Sequence, residues 1–127
     1  MKTIITYGTF DTFHYGHIEL LKRSKELGDY LIVAVSTDEF NLTKGKTSKF
    51  PLAKRCEWVN SIKYVDLVIY EHNWEQKKSD IIKYKIDILT MGNDWSGHFD
   101  DLNCKVTYLD RTPEISSTAI RGCINDT

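Results

Sequence analysis

Two histidines three residues apart are the side chains best placed for chemistry in this sequence. His14 and His17 belong to the run TFDTFHYGH over residues 9–17, which follows a short apolar run and Gly8. Residues three apart lie on one face of a helix. The first turn of a helix offers unpaired N–H groups and a positive dipole to an anion. The spacing therefore favours phosphate binding by the two imidazoles.

Two other roles for the histidine pair stay open from the residues alone. One is a capping histidine beside a core histidine, and the other is a metal pair. A metal site would need a third ligand. Neither His72 nor His98 stands at a spacing that suggests one.

Two later segments have the same anion-binding character. Residues 37–50 show no clear period and carry Lys44, Lys46 and Lys49, which indicates a functional loop. Near the end of the chain, the run RTPEISST over residues 111–118 combines an arginine with three successive hydroxyls. Because serine is a common helix N-cap, this run predicts a second helix start that faces an anion.

The elements that would position these residues alternate between apolar strands and helical patterns. The predicted strands cover residues 4–7, 30–35, 65–70, 88–91 and 105–109. This alternation predicts a single α/β domain over residues 1–127, with a Rossmann-like parallel five-stranded sheet and helices on both faces. Ligands of such sheets bind outside the carboxyl ends of the strands, where the candidate residues stand.

The helices between the strands have recognisable starts and apolar stripes. Gly28 is a plausible stop for the first helix, and Pro51 can open a later one. Asn73 is a predicted N-cap, with Gln76 completing a capping box. The predicted apolar stripes comprise Ile18, Leu21 and Leu27, then Leu52, Cys56, Val59 and Ile62, and finally Trp74, Ile81 and Ile82.

The bulk composition excludes several classes of protein. Seventeen Lys and Arg against eighteen Asp and Glu give a net charge of −1, which argues against a general nucleic-acid or membrane-surface binder. No apolar stretch approaches the ~20 residues of a spanning helix. Cys56, Cys104 and Cys123 are scattered and odd in number, which argues against a disulfide framework and favours the cytoplasm.

The motifs together resemble those of a known superfamily. GTFD followed by HYGH over residues 8–17 resembles the His-x-Gly-His signature of the cytidylyltransferases and nucleotidylyltransferases, and RTPEISST resembles their second motif. Residues 35–41, 73–78 and 91–95 extend the likeness to the bacterial glycerol-3-phosphate cytidylyltransferase family. That resemblance implies transfer of CMP from CTP to glycerol 3-phosphate. The products would be pyrophosphate and CDP-glycerol, for teichoic acid or a related surface polymer.

The implied reaction calls for positive charge rather than a base. A phosphate monoester has a second pKa near ~6, so it is already a dianion at neutral pH. Two anions must then meet, and the transition state gathers further charge on oxygen. The resemblance implies that Mg²⁺ accompanies CTP, without indicating a ligand residue, and that the protein is a homodimer. It also gives Asp11 a place in the first motif or near the metal.

The resemblance also implies roles for individual residues. The implied catalytic residues are His14, His17, Lys44, Lys46 and Arg111. The implied nucleotide-binding residues are Gly8, Thr9, Phe10, His14, His17, Lys46, Asp94, Arg111, Thr112, Ile115, Ser116, Ser117 and Thr118. The implied acceptor-binding residues are Lys44, Lys77, Asp38, Arg55 and Trp74.

Plain structural roles stand beside several of these assignments. Lys44 and Lys46 could simply belong to an exposed charged loop. Arg55 could simply lie on a solvated helix face. Asp38 and Trp74 would serve equally as a cap and a core residue. Lys63 replaces an arginine of the family pattern, which keeps the charge but loses the bidentate fork.

Three rival functions remain. The same fold would serve an enzyme for another phosphorylated alcohol, such as ethanolamine phosphate or a pentitol phosphate, or one that uses ATP. A non-catalytic nucleotide-binding regulator would not need both histidines and the lysine loop. A class I aminoacyl-tRNA synthetase fragment would need a longer chain and a surface for tRNA.

Overall fold

A parallel β-sheet forms the centre of the molecule. The computed structural model describes residues 1–11, 15–92 and 102–109. Its strands are β1 (Thr3–Gly8), β2 (Tyr30–Ser36), β3 (Leu67–Glu71), β4 (Ile88–Gly92) and β5 (Lys105–Leu109). They lie in the order β3-β2-β1-β4-β5, and every neighbouring pair is parallel. The predicted five-stranded sheet is confirmed.

The apolar core lies on both faces of this sheet, because successive residues of a strand point to opposite sides. Ile4 and Val33 belong to one cluster, and Ile5 and Ile32 belong to the other. The helices are α1 (Tyr15–Lys25), α2 (Asp38–Thr43), α3 (Leu52–Asn60) and α4 (Gln76–Lys83). Leu21 of α1 and Val59 of α3 join the first cluster, whereas Ile81 of α4 joins the second. Helices therefore cover both faces, as predicted.

The interpretation of residues 37–50 as a loop is wrong over its first part. Asp38–Thr43 form α2, and the hydroxyl of Thr37 caps this helix by accepting the N–H of Phe40 at 3.0 Å. Phe40 and Asn41 are buried on its inner side. Six residues are too few to display a helical period, so no apolar pattern predicts this helix.

One helix boundary and one strand boundary also differ from prediction. Helix α1 ends at Lys25, so Leu27 lies beyond it and is 36% exposed. Strand β3 begins at Leu67 rather than at the predicted Val65. Just before it, Asp66 forms hydrogen bonds to Leu31 of β2. The carboxylate of Asp66 accepts the N–H of Leu31, and the N–H of Asp66 donates to the carbonyl of Leu31.

Helix α4 presents a different face from the predicted one. Ile81 is buried as expected, but Trp74 is 43% exposed and Ile82 is 74% exposed, so their predicted burial is wrong. Lys77 and Asp80 are buried in their place. Their charges need partners there, and those partners belong to the site described below.

The predicted N-cap Asn73 is wrong by position, because Glu75 occupies the cap position of α4, but one of the two predicted capping-box bonds is present. Asn73 accepts the N–H of Gln76 at 2.9 Å through its side chain. The side chain of Gln76 accepts from the N–H of His72 rather than from that of Asn73. The reciprocal bond of the capping box therefore reaches the N–H one residue before the predicted one.

Within the described part of the chain, no helix is both long enough and apolar enough to span a bilayer.

Candidate active site

A cavity of about 610 Å³ opens at the carboxyl ends of β1, β3 and β4. Strand β1 lies between β2 and β4, so the strand order reverses at β1. Open α/β sheets bind their ligands at such a reversal. The residues that line the cavity are Tyr7, Gly8, Thr9, Phe10, Asp11, His17, Asn41, Lys44, Lys46, Thr47, Ser48, Glu71, Trp74, Lys77 and Met91.

The turn after β1 is built around Phe10. This residue has φ 51°, an unusual backbone conformation for a side chain of its size. Its ring is buried, lies edge-on to the imidazole of His17 with 5.2 Å between centroids, and passes over Gly8. A Cβ on Gly8 would lie 2.9 Å from the Phe10 ring. The turn therefore requires glycine at position 8 to bring His17 to the cavity.

Asp11 joins this turn to the segment that follows α2. Its carboxylate accepts the N–H groups of Lys49 and Phe50 at 2.6 and 3.0 Å. Thr9 makes a second connection through its hydroxyl, which donates to Asn41 at 3.1 Å. Asp11 thus orients the first motif, one of its two predicted roles, and fixes the lysine-bearing segment against the cavity.

Arg55 is buried beneath the same turn and is completely inaccessible to solvent. Its guanidinium donates to the carbonyls of Phe50, Thr9 and Ser36 at 2.9, 3.0 and 2.7 Å. It also forms an ion pair with Asp38. The alternative of a solvated helix face is therefore wrong.

Neither Arg55 nor Asp38 is among the described residues that line the cavity. The Asp38 carboxylate accepts from Arg55 and, at 3.4 Å, from the N–H of Leu52. The structure therefore shows this pair holding the ends of β1 and β2 together. Their predicted contact with an acceptor stays a prediction.

Lys44 lies against aromatic rings at the cavity wall. Its ammonium stands 4.5 Å from the centroid of Phe40 and 5.7 Å from that of Trp74, and it donates to the hydroxyl of Ser36 at 3.2 Å. Burial lowers the pKa of Lys44 below its usual value, and the negative charge of Glu71 partly offsets this effect. A bound anion would restore the charge that burial disfavours.

Lys77 and Glu71 form a buried ion pair beside Lys44. Their side chains are each 3% exposed, and Nζ of Lys77 lies 2.6 Å from one carboxylate oxygen of Glu71. The other oxygen accepts the hydroxyl of Ser36 at 2.9 Å. The ammonium also faces the rings of Tyr7 and Trp74, with 4.3 and 5.0 Å to the centroids.

Sequence reasoning missed Glu71 and Asn41 as site residues. Glu71 directly follows the strand predicted over residues 65–70, is the last residue of β3 in the structure, and precedes Lys77 by six positions. Its place at a strand end was therefore a usable signal, although its pairing with a lysine was not. Asn41 had no signal, because its place depends on α2.

The structure brings most of the described candidates to one cavity. Of the predicted residues, those at the cavity are Gly8, Thr9, Phe10, His17, Lys44, Lys46, Trp74 and Lys77. The predicted residues that lie outside the described ranges are His14, Asp94, Arg111, Thr112, Ile115, Ser116, Ser117 and Thr118. Lys63 is exposed, with its ammonium 5.3 Å from the ring of Tyr64, and does not line the cavity.

The charges at the cavity suit a ligand with more than one anionic group. His17, Lys44 and Lys46 bring cationic or hydrogen-bond-donating groups to the wall of the cavity. Lys77 is already paired with Glu71. Such a wall binds phosphates and stabilises charge that develops on their oxygens.

Comparison with known proteins agrees with this geometry. The family model described as cytidylyltransferase-like matches residues 5–122. This chain belongs to the cytidylyltransferase-like family. The two predicted motifs lie within the matched range.

Two curated relatives are similar over nearly their whole length. The glycerol-3-phosphate cytidylyltransferase of Bacillus subtilis is 57% identical over 95% of this chain and 95% of its own. That of Staphylococcus aureus is 55% identical over 95% and 93%. The FAD synthase of Thermoplasma volcanium is 36% identical over 91% of this chain and 80% of its own.

Solved structures share the architecture. A lipopolysaccharide core biosynthesis protein from Thermoplasma volcanium has a TM-score of 0.77 at 30% identity and covers 88% of this chain and 98% of its own. A pantoate-beta-alanine ligase from Francisella tularensis has a TM-score of 0.60 at 17% identity, over 89% of this chain and 61% of its own. The latter likeness is one of fold alone.

Proposed function

We propose that this protein transfers CMP from CTP to glycerol 3-phosphate, forming CDP-glycerol and releasing pyrophosphate. The observation that carries the proposal is the convergence of His17, Lys44, Lys46 and Lys77 on one cavity at the strand reversal. The names of the relatives that match over nearly the whole chain support the choice of substrates.

The proposed step needs no base from the protein. A phosphate oxygen of glycerol 3-phosphate attacks the α-phosphorus of CTP, and the new P–O bond forms as the bond to the β-phosphate oxygen breaks. The electron pair of that bond leaves with pyrophosphate. Since the attacking phosphate is already deprotonated above its second pKa near ~6, catalysis reduces to positioning and charge stabilisation.

The cavity suggests a division of labour among its cations. His17 stands in the first turns of α1, beside the turn after β1, and we assign it, with Lys46, to the triphosphate. Lys44 and Lys77 meet beside Trp74 on the other wall, and we assign them to the acceptor. His14 and the run over residues 111–118 complete the nucleotide site in this proposal.

Mg²⁺ enters this proposal as a companion of CTP. Among the described residues, no group of three or more His, Cys, Asp or Glu stands close enough to hold a metal ion. Mg²⁺ usually keeps several waters and binds through substrate phosphates. It would supply charge neutralisation there, and we assign no ligand residue to it.

The wider setting is also part of the proposal. We place the enzyme in the cytoplasm, as a homodimer, and its product in the synthesis of teichoic acid or a related surface polymer. Analytical ultracentrifugation tests the oligomeric state. Sedimentation at twice the 14.8 kDa of one chain is expected, and sedimentation at that single mass would refute the dimer.

Pyrophosphate release by the purified protein tests the function itself. CTP and ATP are each paired with glycerol 3-phosphate, ethanolamine phosphate and a pentitol phosphate. We expect the highest kcat/KM for CTP with glycerol 3-phosphate. Absence of turnover with that pair would overturn the proposal, and a preference for another acceptor or for ATP would reassign the substrate.

A further inference from the structure

The buried carboxylate of Glu71 separates the two lysines assigned to the acceptor. It is bound to Lys77 directly at 2.6 Å and is linked to Lys44 through the hydroxyl of Ser36. It also lines the cavity. A negative charge at this place opposes the approach of a phosphate, so a wall built only to attract anions would not contain it.

Glu71 retains the capacity to bind a ligand. Its two oxygens have one described side-chain partner each, Lys77 and Ser36. An ionised carboxylate offers about four lone-pair sites, so each oxygen can accept a further hydrogen bond. The ammonium groups of Lys44 and Lys77 beside it are donors only. Glu71 thus places a hydrogen-bond acceptor directly between the two ammonium donors on this side of the cavity.

We infer that Glu71 accepts hydrogen bonds from the free hydroxyl groups of the acceptor alcohol and thereby determines its specificity. The inference rests on the proposed function. The two lysines would hold the phosphate of the acceptor, and the carboxylate between them would bind the hydroxyls on the adjacent carbons. Asp38, the carboxylate that the sequence suggested for this role, is engaged by Arg55 away from the cavity wall.

The same arrangement disfavours an amino alcohol. An ammonium group of the acceptor that approached Glu71 would also approach Lys77 and Lys44, whose positive charges would repel it. A neutral hydroxyl meets no such repulsion. The other carboxylate among the described lining residues, Asp11, is bound to the amides of Lys49 and Phe50 on a different wall.

The test removes hydroxyls from the acceptor and the charge from Glu71 in one cycle. The full chain and its Glu71→Gln variant are assayed with CTP and three acceptors: glycerol 3-phosphate, 3-hydroxypropyl phosphate and propyl phosphate. For the unaltered protein, kcat/KM should fall roughly tenfold to a hundredfold for each hydroxyl removed from the acceptor, the usual range for one hydrogen bond to a charged group. In E71Q the ratio of kcat/KM for glycerol 3-phosphate to kcat/KM for propyl phosphate should shrink at least fivefold.

Two further variants separate hydroxyl recognition from a structural role. Ser36→Ala removes a donor to Glu71 but keeps the carboxylate, so the ratio between acceptors should persist. Glu71→Asp withdraws the carboxylate by one methylene, and it should shrink the ratio even if E71Q does not fold. If Glu71 only positioned Lys77, every acceptor would lose the same factor in E71Q and E71D.

Equal losses for all acceptors would therefore overturn the inference while leaving the proposed function intact. A ratio near one in the unaltered protein would overturn it as well. If the unaltered protein turned over none of the acceptors with CTP, the proposed function would fail, and the inference would fail with it.

Discussion

Arg55 shows how a charged side chain serves a site that it does not touch. It is fully buried and donates to three carbonyls from the ends of β1 and β2 and the segment before α3. Its positive charge is paired with Asp38. Since these bonds leave its donors little capacity for a ligand, Arg55 acts on the cavity through the position of Thr9.

Replacement of Arg55 by methionine should destabilise the protein strongly. Arg55→Met removes the donor from three carbonyls and the ion-pair partner from Asp38, and the expected loss is about 3 kcal/mol in the free energy of unfolding. Urea unfolding followed by circular dichroism measures it. Lys54→Met on the same helix is the matched control, since Lys54 is exposed and its ammonium makes a 3.5 Å surface pair with Glu57 and lies 5.9 Å from the ring centroid of Trp58. Equal losses in the two variants would contradict this role for Arg55.

Tyr7 should make the stability of the protein sensitive to alkaline pH. Burial, together with its 2.7 Å hydrogen bond to Asp80, holds the pKa of Tyr7 well above its ordinary value of 10.0. The unfolded chain loses this proton near pH 10 while the folded protein keeps it, so stability falls as pH rises above about 10. In Tyr7→Phe this part of the slope, about 1.4 kcal/mol per pH unit, should vanish.

Denaturant titrations between pH 9 and 11 measure that slope for the unaltered protein and Tyr7→Phe. Tyr70→Phe is the control, because its side chain is 50% exposed at the end of β3. A Tyr7→Phe variant with the slope of the unaltered protein would show that the buried hydroxyl does not carry the effect.

At the scale of elements, the turn from β1 to α1 and the segment after α2 form one unit. Asp11 binds the amides of Lys49 and Phe50, and Thr9 binds Asn41 of α2. The positive φ of Phe10 is maintained by this surrounding structure. Any change that shifts the turn should therefore move His17 relative to the lysines.

Gly8→Ala tests this packing against a second glycine at a strand end. The added Cβ would meet the buried Phe10 ring at 2.9 Å, whereas a Cβ on Gly92 meets no atom of the described residues within 4 Å. Gly8→Ala should cost about 1–3 kcal/mol in the free energy of unfolding and lower kcat. Gly92→Ala should stay within about 0.5 kcal/mol of the unaltered protein. Thermal unfolding and turnover assays compare the pair, and similar behaviour of the two variants would refute the steric argument.

The elements that sequence predicted well are those with long apolar patterns. Continuous apolar runs such as Tyr30–Ser36 predict strands β1 and β2. The helical spacing of Leu52, Cys56 and Val59 predicts the apolar stripe of α3. The failures have local causes. Helix α2 is shorter than two turns, and Trp74 and Ile82 are exposed because α4 buries the charged Lys77 and Asp80 instead. No apolar periodicity predicts a buried ion pair, because the burial of Lys77 depends on Glu71 from another element.

At the scale of the whole molecule, a nearly neutral protein concentrates cations in one place. The net charge is −1, yet His17, Lys44, Lys46 and Lys77 share a cavity. The sequence predicted this cluster because the parallel sheet brings strand ends together. The sequence did not predict that Lys77 forms an ion pair with Glu71 whereas Lys44 does not.

Acceptor binding should weaken at alkaline pH because of Lys44. Burial lowers the pKa of Lys44 in the free protein, and a bound phosphate would raise it. Binding therefore takes up a proton once pH exceeds the lowered value, and KM for glycerol 3-phosphate should rise as pH increases from neutral toward 10.5, the ordinary pKa of a lysine. In Lys44→Arg, whose side chain stays charged, KM should change less over this range. Parallel pH dependence in the two proteins would contradict the assignment.

The rate of CMP transfer by His17→Ala tests the central claim most directly, namely that charge at the first turns of α1 stabilises the reaction at phosphorus. Rapid-quench assays with saturating CTP and glycerol 3-phosphate compare this variant with the unaltered protein and with His72→Ala, an exposed histidine that does not line the cavity. Loss of one such donor typically costs about 10²–10³ in rate. We expect a loss of that size for His17→Ala and an unchanged rate for His72→Ala. A rate for His17→Ala close to that of the unaltered protein would contradict the account.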